Sequence, residues 1–250
     1  MSTNTVLLTG ATAGIGLATA KHLLQLGWSV IFTGRNSDKI AATIDQLSPF
    51  VGQEQTLKGV LCDNSNYDQI QTLAASLEYD NITLDAVILN AGVFYPNQFE
   101  HEQLANFEKT MSVNFTGPAM MLQALLPHLN NPTSVVYVSS IVVEKVFANT
   151  AIYSASKAAF EALANTLNVE WAERGIRINY LRPGVTLTEI QAKAGMQPEQ
   201  IDEFEQSLAT TPAGRILEPH DMVSALAFLI SQGSNMMRGA HIRVDGGHCL

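Results

Sequence analysis

The strongest constraint on the fold of this chain is the regular alternation of short β-branched runs with longer helical patterns. The runs of strand type are Val6–Thr9, Ser29–Thr33, Thr56–Cys62, Leu84–Asn90, Ser134–Ser139, Arg177–Leu181 and Ala240–Val244. Helical patterns lie between them, near residues 15–26, 37–47, 66–78, 101–128, 154–173 and 219–231. This alternation predicts an α/β fold, a doubly wound seven-stranded parallel sheet with helices on both faces.

The composition is that of a folded chain that can fill a large core. Of the 250 residues, 46% are hydrophobic and 15% are charged, which argues against disorder. The formal net charge is −9 with only 14 Lys and Arg, which disfavours nucleic-acid binding because that needs basic patches against phosphates. No apolar stretch approaches the roughly 18 residues that span a bilayer, so no membrane partner is expected.

One domain over residues 1–250 is expected, since no repeat or linker divides the chain. The segment 188–211 interrupts the regular pattern, and an insertion of this kind usually covers a binding site or is mobile; the first is expected here. Cys62 and Cys249 are expected to be free thiols in a reducing compartment. The first strand leaves no room for a signal peptide, so a cytoplasmic location is expected. No Cys and His cluster has metal-ligand spacing, so no metal is expected.

A glycine-rich junction follows the first strand. Gly10, Gly14 and Gly16 form the pattern Gly-x-x-x-Gly-x-Gly and lead directly into a helical pattern. Glycines at such a junction permit a tight turn and let backbone amides approach a pyrophosphate at the positive end of the helix. The alternative is a glycine-rich connection that binds nothing, and the spacing differs from the commoner Gly-x-Gly-x-x-Gly.

Tyr153 and Lys157 lie four residues apart, so a helix here places phenol and ammonium on one face. A free tyrosine has a pKa of about 10, and a neighbouring cation lowers that pKa by favouring the phenolate. A hydroxyl with a lowered pKa suits a proton donor to a reacting carbonyl oxygen. Both residue types are ordinary on exposed helices, so the pair alone is weak evidence for a function. The glycine-rich junction earlier in the chain strengthens that interpretation.

Taken in order, these motifs resemble the short-chain dehydrogenases/reductases in their single-domain form, over essentially the whole chain. The matching pieces are Thr9–Gly16, Asp63, Asn90–Gly92, Asn114, Ser140, Tyr153 with Lys157, Pro183–Thr188 and Val244–Gly247. The resemblance implies an oxidoreductase that transfers a hydride between a nicotinamide dinucleotide and a carbonyl or secondary alcohol. The nicotinamide would supply the hydride, and the protein would supply orientation and electrostatics.

The resemblance assigns catalytic roles to Asn114, Ser140, Tyr153 and Lys157. Tyr153 would be the general acid in reduction and the base in oxidation, while Ser140 would hold the substrate oxygen. Lys157 would lower the tyrosine pKa and bind the nicotinamide ribose, and Asn114 would position a water behind that lysine. From the residues alone, Ser140 also fits a turn at the end of a strand and Asn114 an ordinary polar position on a helix.

Cofactor contacts implied by the resemblance follow the predicted strands. They are Gly10, Thr12, Ala13, Gly14, Ile15, Gly16, Arg35, Asn36, Asp63, Asn64, Asn90, Ala91, Gly92, Tyr153, Lys157, Pro183, Gly184, Thr186 and Thr188. Asn90–Gly92 would lie under the adenine ribose, and Asp63 would accept a hydrogen bond from the adenine amino group. Asn and Gly also end strands in ordinary turns, and an acidic residue after a strand is often a cap.

The residues after the second strand favour NADP(H) over NAD(H). An NAD-specific site carries Asp or Glu there to bind the ribose hydroxyls, whereas this chain has Gly34 followed by Arg35. A carboxylate would repel a 2′-phosphate, and a guanidinium can bind it through charge-assisted hydrogen bonds. Arg35 stacked on adenine without discrimination is the alternative. Ala13, where many NADP-using relatives carry a second basic residue, leaves dual specificity open.

By analogy with the family, the substrate pocket is mainly apolar, which favours a medium-sized, partly hydrophobic carbonyl or secondary alcohol. Its residues would be Phe94, Tyr95, Val142, Val143, Phe147, Leu187, Ile190 and Met196, with Glu144 and Asn149 as the polar exceptions. Helices near 104–127 and from Ala155 are apolar on more than one face, which favours a homo-oligomer over deeper burial within one chain. The resemblance implies that this oligomer is a dimer or a tetramer.

Two other functions share this scaffold. A catalytically silent dinucleotide-binding regulator would be expected to lose the tyrosine or the lysine, and this chain keeps both. An epimerase-like or dehydratase-like enzyme is disfavoured by the short chain and by Pro183 with Gly184.

Overall fold

The computed structural model describes residues 3–186 and 211–250, and in these residues seven parallel strands form one sheet. The strands are β1 (Thr5–Leu8), β2 (Ser29–Gly34), β3 (Leu57–Leu61), β4 (Leu84–Leu89), β5 (Leu129–Val138), β6 (Ile176–Pro183) and β7 (His241–Val244). Their order is β3-β2-β1-β4-β5-β6-β7, with every neighbouring pair parallel. The predicted doubly wound sheet is confirmed. Because β1 lies beside β4, a crevice opens at the carboxyl ends of these two strands.

Helices cover both faces of the sheet. They are α1 (Gly14–Gln25), α2 (Ser37–Leu47), α3 (Tyr67–Tyr79), α4 (Leu104–Met111), α5 (Gly117–Leu125), α6 (Ala151–Glu170) and α7 (Val223–Ile230). Successive strand residues point to opposite faces, so Val6 and Leu8 pack with α1, α2 and α7, whereas Leu7 packs with α3, α5 and α6. The continuous apolar strands are therefore buried on both sides, as parallel sheets require.

The helix predicted over 101–128 is divided in the structure. A π-helical turn, Ser112–Thr116, separates α4 from α5. Pro118 lacks the N–H that would bond the carbonyl of Asn114 four residues earlier. The hydroxyl of Tyr137 donates to that carbonyl instead, at 2.7 Å, across the core from β5. A wide turn of this kind is frequent at functional sites.

Other boundaries shift by smaller amounts. β5 begins at Leu129 rather than Ser134, and α6 begins at Ala151 rather than 154. The helix predicted over 219–231 is a 3₁₀ turn, Pro219–Met222, followed by α7. Of the predicted covering segment 188–211, all but the last residue lies outside the described residues.

Both cysteines are free thiols. Within residues 3–186 and 211–250, no helix combines the length and apolar character needed to cross a membrane.

We predict that Gly117→Ala destabilises the protein. A Cβ at this position would lie 2.1 Å from the backbone oxygen of Asn64. Alanine gains about 1 kcal/mol of helix propensity, but a clash of the new methyl group with a backbone oxygen in a packed interior costs roughly 1–3 kcal/mol or more. The free energy of unfolding in urea should therefore fall. Ala119→Gly in the same helix reports the propensity effect alone, and a Gly117→Ala protein as stable as wild type would contradict the account.

Candidate active site

A cleft of about 730 Å³ runs along the carboxyl edge of the sheet. Its size is typical of a small-molecule site, roughly 300–1,000 Å³. The predicted site residues that line it are Gly10, Thr12, Ala13, Gly14, Ile15, Arg35, Asp63, Asn64, Asn90, Ala91, Gly92, Ser140, Tyr153, Lys157, Pro183, Gly184 and Thr186. Gly16, Asn36 and Asn114 do not line it, and Thr188 lies outside the described residues. The cleft thus joins the glycine-rich turn to the tyrosine–lysine pair.

The glycine-rich turn needs glycine for two physical reasons. Gly10 and Gly14 have φ angles of +67° and +55°, in the left-handed region that favours glycine. A Cβ on Gly16 would lie 2.5 Å from the carbonyl oxygen of Gly10, so this position must be small for α1 to begin against the turn. Gly16 therefore has a packing role in this structure, and the cofactor contact expected of it stays a prediction.

Thr9 links the turn to β4, a role that the sequence did not assign to it. Its hydroxyl oxygen accepts hydrogen bonds from the backbone amides of Asn90 and Ala91, both at 3.0 Å. The side-chain amide of Asn90 donates in return to the carbonyls of Thr9 and Gly10, at 3.0 and 3.1 Å. A threonine at the end of an apolar strand is the sequence signal that could have indicated this bridge, and in the structure it is fully buried.

Asp63 follows β3 and is ionised. Its Oδ1 accepts hydrogen bonds from the amide and hydroxyl of Ser65, at 2.8 and 2.7 Å, and its Oδ2 lies 3.6 Å from the ammonium of Lys109. Burial alone would raise the pKa of Asp63, but these bonds and the charges of Lys109 and Arg35 outweigh burial and lower it. The carboxylate is therefore a fixed acceptor at this end of the cleft.

Residues beside Asp63 fit the adenosine part of a dinucleotide. Arg35 is exposed and lines the cleft, so its guanidinium can reach a phosphate. Asn64 is buried and lines the cleft, and its Nδ2 has no hydrogen-bond partner among the described residues. An unpaired buried donor costs free energy, so this atom suits a ligand that brings an acceptor. Asn36 instead caps α2, where its side chain accepts a bond from the Lys39 amide at 2.8 Å.

Asn114 anchors the loop after β4. Its side chain accepts from the Val93 amide at 2.9 Å and donates to the Val93 carbonyl at 2.9 Å and to the Ser156 hydroxyl at 3.1 Å. With its own carbonyl bonded by Tyr137, this residue ties β4, β5 and α6 together. The expected role in positioning a water stays a prediction.

Lys157 lies on α6, which runs beside the end of β5. Its ammonium is almost fully buried and donates to the carbonyl of Val138 at 2.8 Å. It also lies 4.7 Å from the centre of the Tyr137 ring and 5.6 Å from that of Tyr153. Burial lowers the pKa of Lys157 to about 7, against the opposing charge of Glu161.

Tyr153 shares the cleft with Lys157, as the four-residue spacing predicts, but its pKa shifts in the other direction. Burial raises the pKa of Tyr153 to about 12, and a hydrogen bond with Ser140 offsets only part of this rise. The expected lowering is therefore wrong for this structure. Removal from water disfavours the phenolate and outweighs the hydrogen bond with Ser140.

The described wall beyond Tyr153 is more apolar than expected. Phe94, Tyr95, Val142, Phe147 and Asn149 line the cleft, whereas Val143 and Glu144 do not. The Glu144 carboxylate is held by Arg182, by Arg243 at 2.9 Å and by His241 at 3.1 Å, so it is not a polar group of the pocket. Leu187, Ile190 and Met196 lie outside the described residues.

The ring of Phe94 packs against that of Tyr153, with centroids 4.9 Å apart.

In the part of the chain that the structure describes, no group of three His, Cys, Asp or Glu residues is arranged to hold a metal ion.

A family model described as enoyl-(acyl carrier protein) reductase matches residues 10–248. The chain belongs to the short-chain dehydrogenase/reductase family. It is 32% identical over 248 residues to glucose 1-dehydrogenase of Gluconobacter oxydans, covering 98% of this chain and 91% of that protein. It is 29% identical to gluconate 5-dehydrogenase of the same organism, covering 96% and 93%.

The fold matches solved members of the same family. The crystal structure of levodione reductase superposes with a TM-score of 0.89 at 25% identity, covering 98% of this chain and 96% of that one. This short-chain dehydrogenase/reductase is thus an enzyme that acts on alcohol and carbonyl groups with a nicotinamide dinucleotide.

We predict that Thr9→Val weakens dinucleotide binding without abolishing folding. The substitution keeps the shape of the side chain but removes the acceptor of two amides at the turn. Leaving these amides unpaired costs about 1–3 kcal/mol, so the Kd for NADPH, measured by fluorescence titration, should rise about tenfold or more. Thr72→Val on the exposed surface of α3 is the matched control, and equal affinities for the two variants would contradict the role of Thr9.

Proposed function

We propose that this enzyme is an NADP(H)-dependent reductase of partly hydrophobic carbonyl compounds, and a dehydrogenase of the corresponding secondary alcohols. The observation that carries the proposal is one cleft lined by the glycine-rich turn, Arg35, Ser140, Tyr153 and Lys157. Nucleotide binding and proton transfer to a carbonyl oxygen then take place in the same cavity.

The roles proposed for the residues follow from their chemistry. The glycine-rich turn and Lys157 would hold a nicotinamide dinucleotide, which would supply a hydride to the carbonyl carbon. Tyr153, protonated at neutral pH because its pKa is raised to about 12, donates its proton to the carbonyl oxygen. The Ser140 hydroxyl donates a hydrogen bond to the same oxygen, and the Lys157 ammonium stabilises the phenolate that remains. In alcohol oxidation the phenolate accepts the proton.

The substrate class is supported by the described wall of the pocket. The wall presents the apolar and aromatic side chains of Phe94, Tyr95, Val142 and Phe147. The Glu144 carboxylate does not line it and is bonded to Arg243 instead. A site for a polyhydroxylated substrate needs several hydrogen-bonding partners, because each buried hydroxyl must be paired. An apolar ketone therefore suits this wall better than glucose or gluconate, the compounds for which two of the relatives are named.

The assembly and location of the enzyme are also proposals. Leu104 on α4 and Val169 on α6 are 70% and 78% exposed, which favours a homo-oligomer with these helices in the interface. We further propose a single domain over residues 1–250, a segment 188–211 that covers the substrate, and a cytoplasmic location.

We predict that Tyr153→Phe lowers kcat for carbonyl reduction by roughly 100- to 10,000-fold, the usual range for a lost general acid. Cofactor affinity should change little, since the ring and its packing on Phe94 are kept. The assay follows nicotinamide absorbance with apolar ketones, sugars and an enoyl thioester, using both dinucleotides. Tyr79→Phe, at an exposed tyrosine, is the control.

A Tyr153→Phe enzyme with full turnover on every substrate would contradict the mechanism. A wild-type protein that binds dinucleotide and turns over nothing would favour the silent regulator instead. Reduction confined to the enoyl thioester would place the activity on a C=C bond.

We predict that Arg35→Asp shifts the enzyme towards NAD(H). A charge-assisted bond to the 2′-phosphate is replaced by repulsion, so the NADP/NAD ratio of kcat/KM should fall by roughly 10- to 100-fold. Arg174→Asp changes the net charge equally, after the far end of α6, and should leave the ratio unchanged. An unchanged ratio in Arg35→Asp would end the assignment of NADP(H) to this arginine.

A further inference from the structure

A buried carboxylate lies one helical turn beyond Lys157. Glu161 is on the same face of α6, four residues on, and is 7% exposed. Its Oε1 accepts a hydrogen bond from the hydroxyl of Ser139 at 2.5 Å. Ser139 directly precedes Ser140, so this bond connects the helix of Tyr153 and Lys157 to the strand end that carries the second hydroxyl of the site.

Arg182 on β6 neutralises this carboxylate. Its guanidinium bonds Glu161 in a fork, from Nε at 3.1 Å to Oε1 and from Nη2 at 2.5 Å to Oε2. A buried carboxylate is costly unless it is paired and hydrogen-bonded, and the fork with the serine bond meets that need. Packing of α6 against the sheet alone would not require this arrangement of Ser139, Glu161 and Arg182.

We propose that Glu161 is a positioning residue of the active site. It holds the end of β5 with Ser140 against the helix of Tyr153 and Lys157, and it places a negative charge one turn behind the Lys157 ammonium. The proposal rests on the proposed function for its kinetic consequences, but not for the electrostatic one.

Charged and titratable groups face Glu161 from each neighbouring element. Lys157 lies on its own helix. On β6 lie Arg182 and Tyr180, whose hydroxyl donates to the Glu161 backbone carbonyl at 3.1 Å, and Tyr137 lies on β5. Beyond Arg182, the Glu144 carboxylate is bonded by Arg243 and lies 3.1 Å from Nε2 of His241, both on β7.

The charges and burial around Lys157 set the direction in which its pKa changes when Glu161 is replaced. The Glu161 carboxylate raises the pKa of Lys157 against the larger, lowering effect of burial. Without that carboxylate, the effect that opposes burial is lost. Lys157 should then lose its proton at a more acidic pH.

Lysine NMR tests this effect without any turnover. The protein is labelled with ¹³C at lysine Cε, and the Lys157 signal is identified by its loss in Lys157→Met. We expect the Lys157 midpoint to move to lower pH in Glu161→Gln and to stay at the wild-type value in Glu161→Asp. Glu170→Gln, at an exposed glutamate of the same helix, is the control and should leave the midpoint unmoved. Equal midpoints in all four proteins would overturn the electrostatic role.

Kinetics test the positioning role. In Glu161→Gln, kcat for ketone reduction should fall about tenfold, with the KM for dinucleotide changed less than about twofold, as expected when a transition-state interaction is misplaced. The alkaline limb of the kcat profile should move to lower pH in this variant, and Glu161→Asp should restore its position. An unmoved profile would overturn the role, whatever the size of the kcat change.

Ser139→Ala removes the hydroxyl and leaves the ion pair with Arg182. It should lower kcat severalfold without moving the Lys157 midpoint, and it decides the positioning role if Glu161→Gln does not fold. A Ser139→Ala enzyme with wild-type kcat would then overturn that role. Wild-type protein inactive on all carbonyls would end the proposed function alone, because the NMR titration still tests Glu161.

Discussion

The parallel register of the sheet is the constraint on which the whole site depends. Parallel strands bring all their carboxyl ends to one edge, so residues far apart in the sequence line one cleft. Gly10, Arg35, Asp63, Asn90, Ser140 and Pro183 each follow or end a different strand of this edge. The helix that carries Tyr153 and Lys157 starts at the same edge because it follows β5. The adjacency of nucleotide turn and phenol is therefore a property of the topology.

Hydrogen bonds between neighbouring strand ends keep that edge rigid. Thr9 and Asn90 bond across the gap between β1 and β4, where the strand order reverses. Asn114 performs the same function between the loop after β4 and α6. Thr9 and Asn114 are fully buried, so breaking these bonds would leave polar groups unpaired inside the protein, at a cost well above the net value of a surface hydrogen bond.

The sequence predicted the sheet and its faces, because strand and helix periodicities are local properties. The grouping of the main site residues was implied by the resemblance to the family, which rests on the order and spacing of motifs along the whole chain. The pKa directions of Tyr153 and Lys157 were not predictable in this way, since they depend on how much water packing removes. The direction in which Glu144 points depends on Arg182 and Arg243, which are distant in sequence. The π-helical turn had a local signal, Pro118, whose consequence appears only once Tyr137 lies across from it.

Transfer of deuterium from the dinucleotide to a ketone tests most directly that this edge joins nucleotide and reacting carbonyl. NADPH labelled with deuterium at nicotinamide C4, in each of its two stereoisomers, is incubated with the wild-type enzyme and an apolar ketone. The account predicts an alcohol labelled at the carbinol carbon from one of the stereoisomers. An unlabelled product, or no product while the dinucleotide is bound, would contradict it.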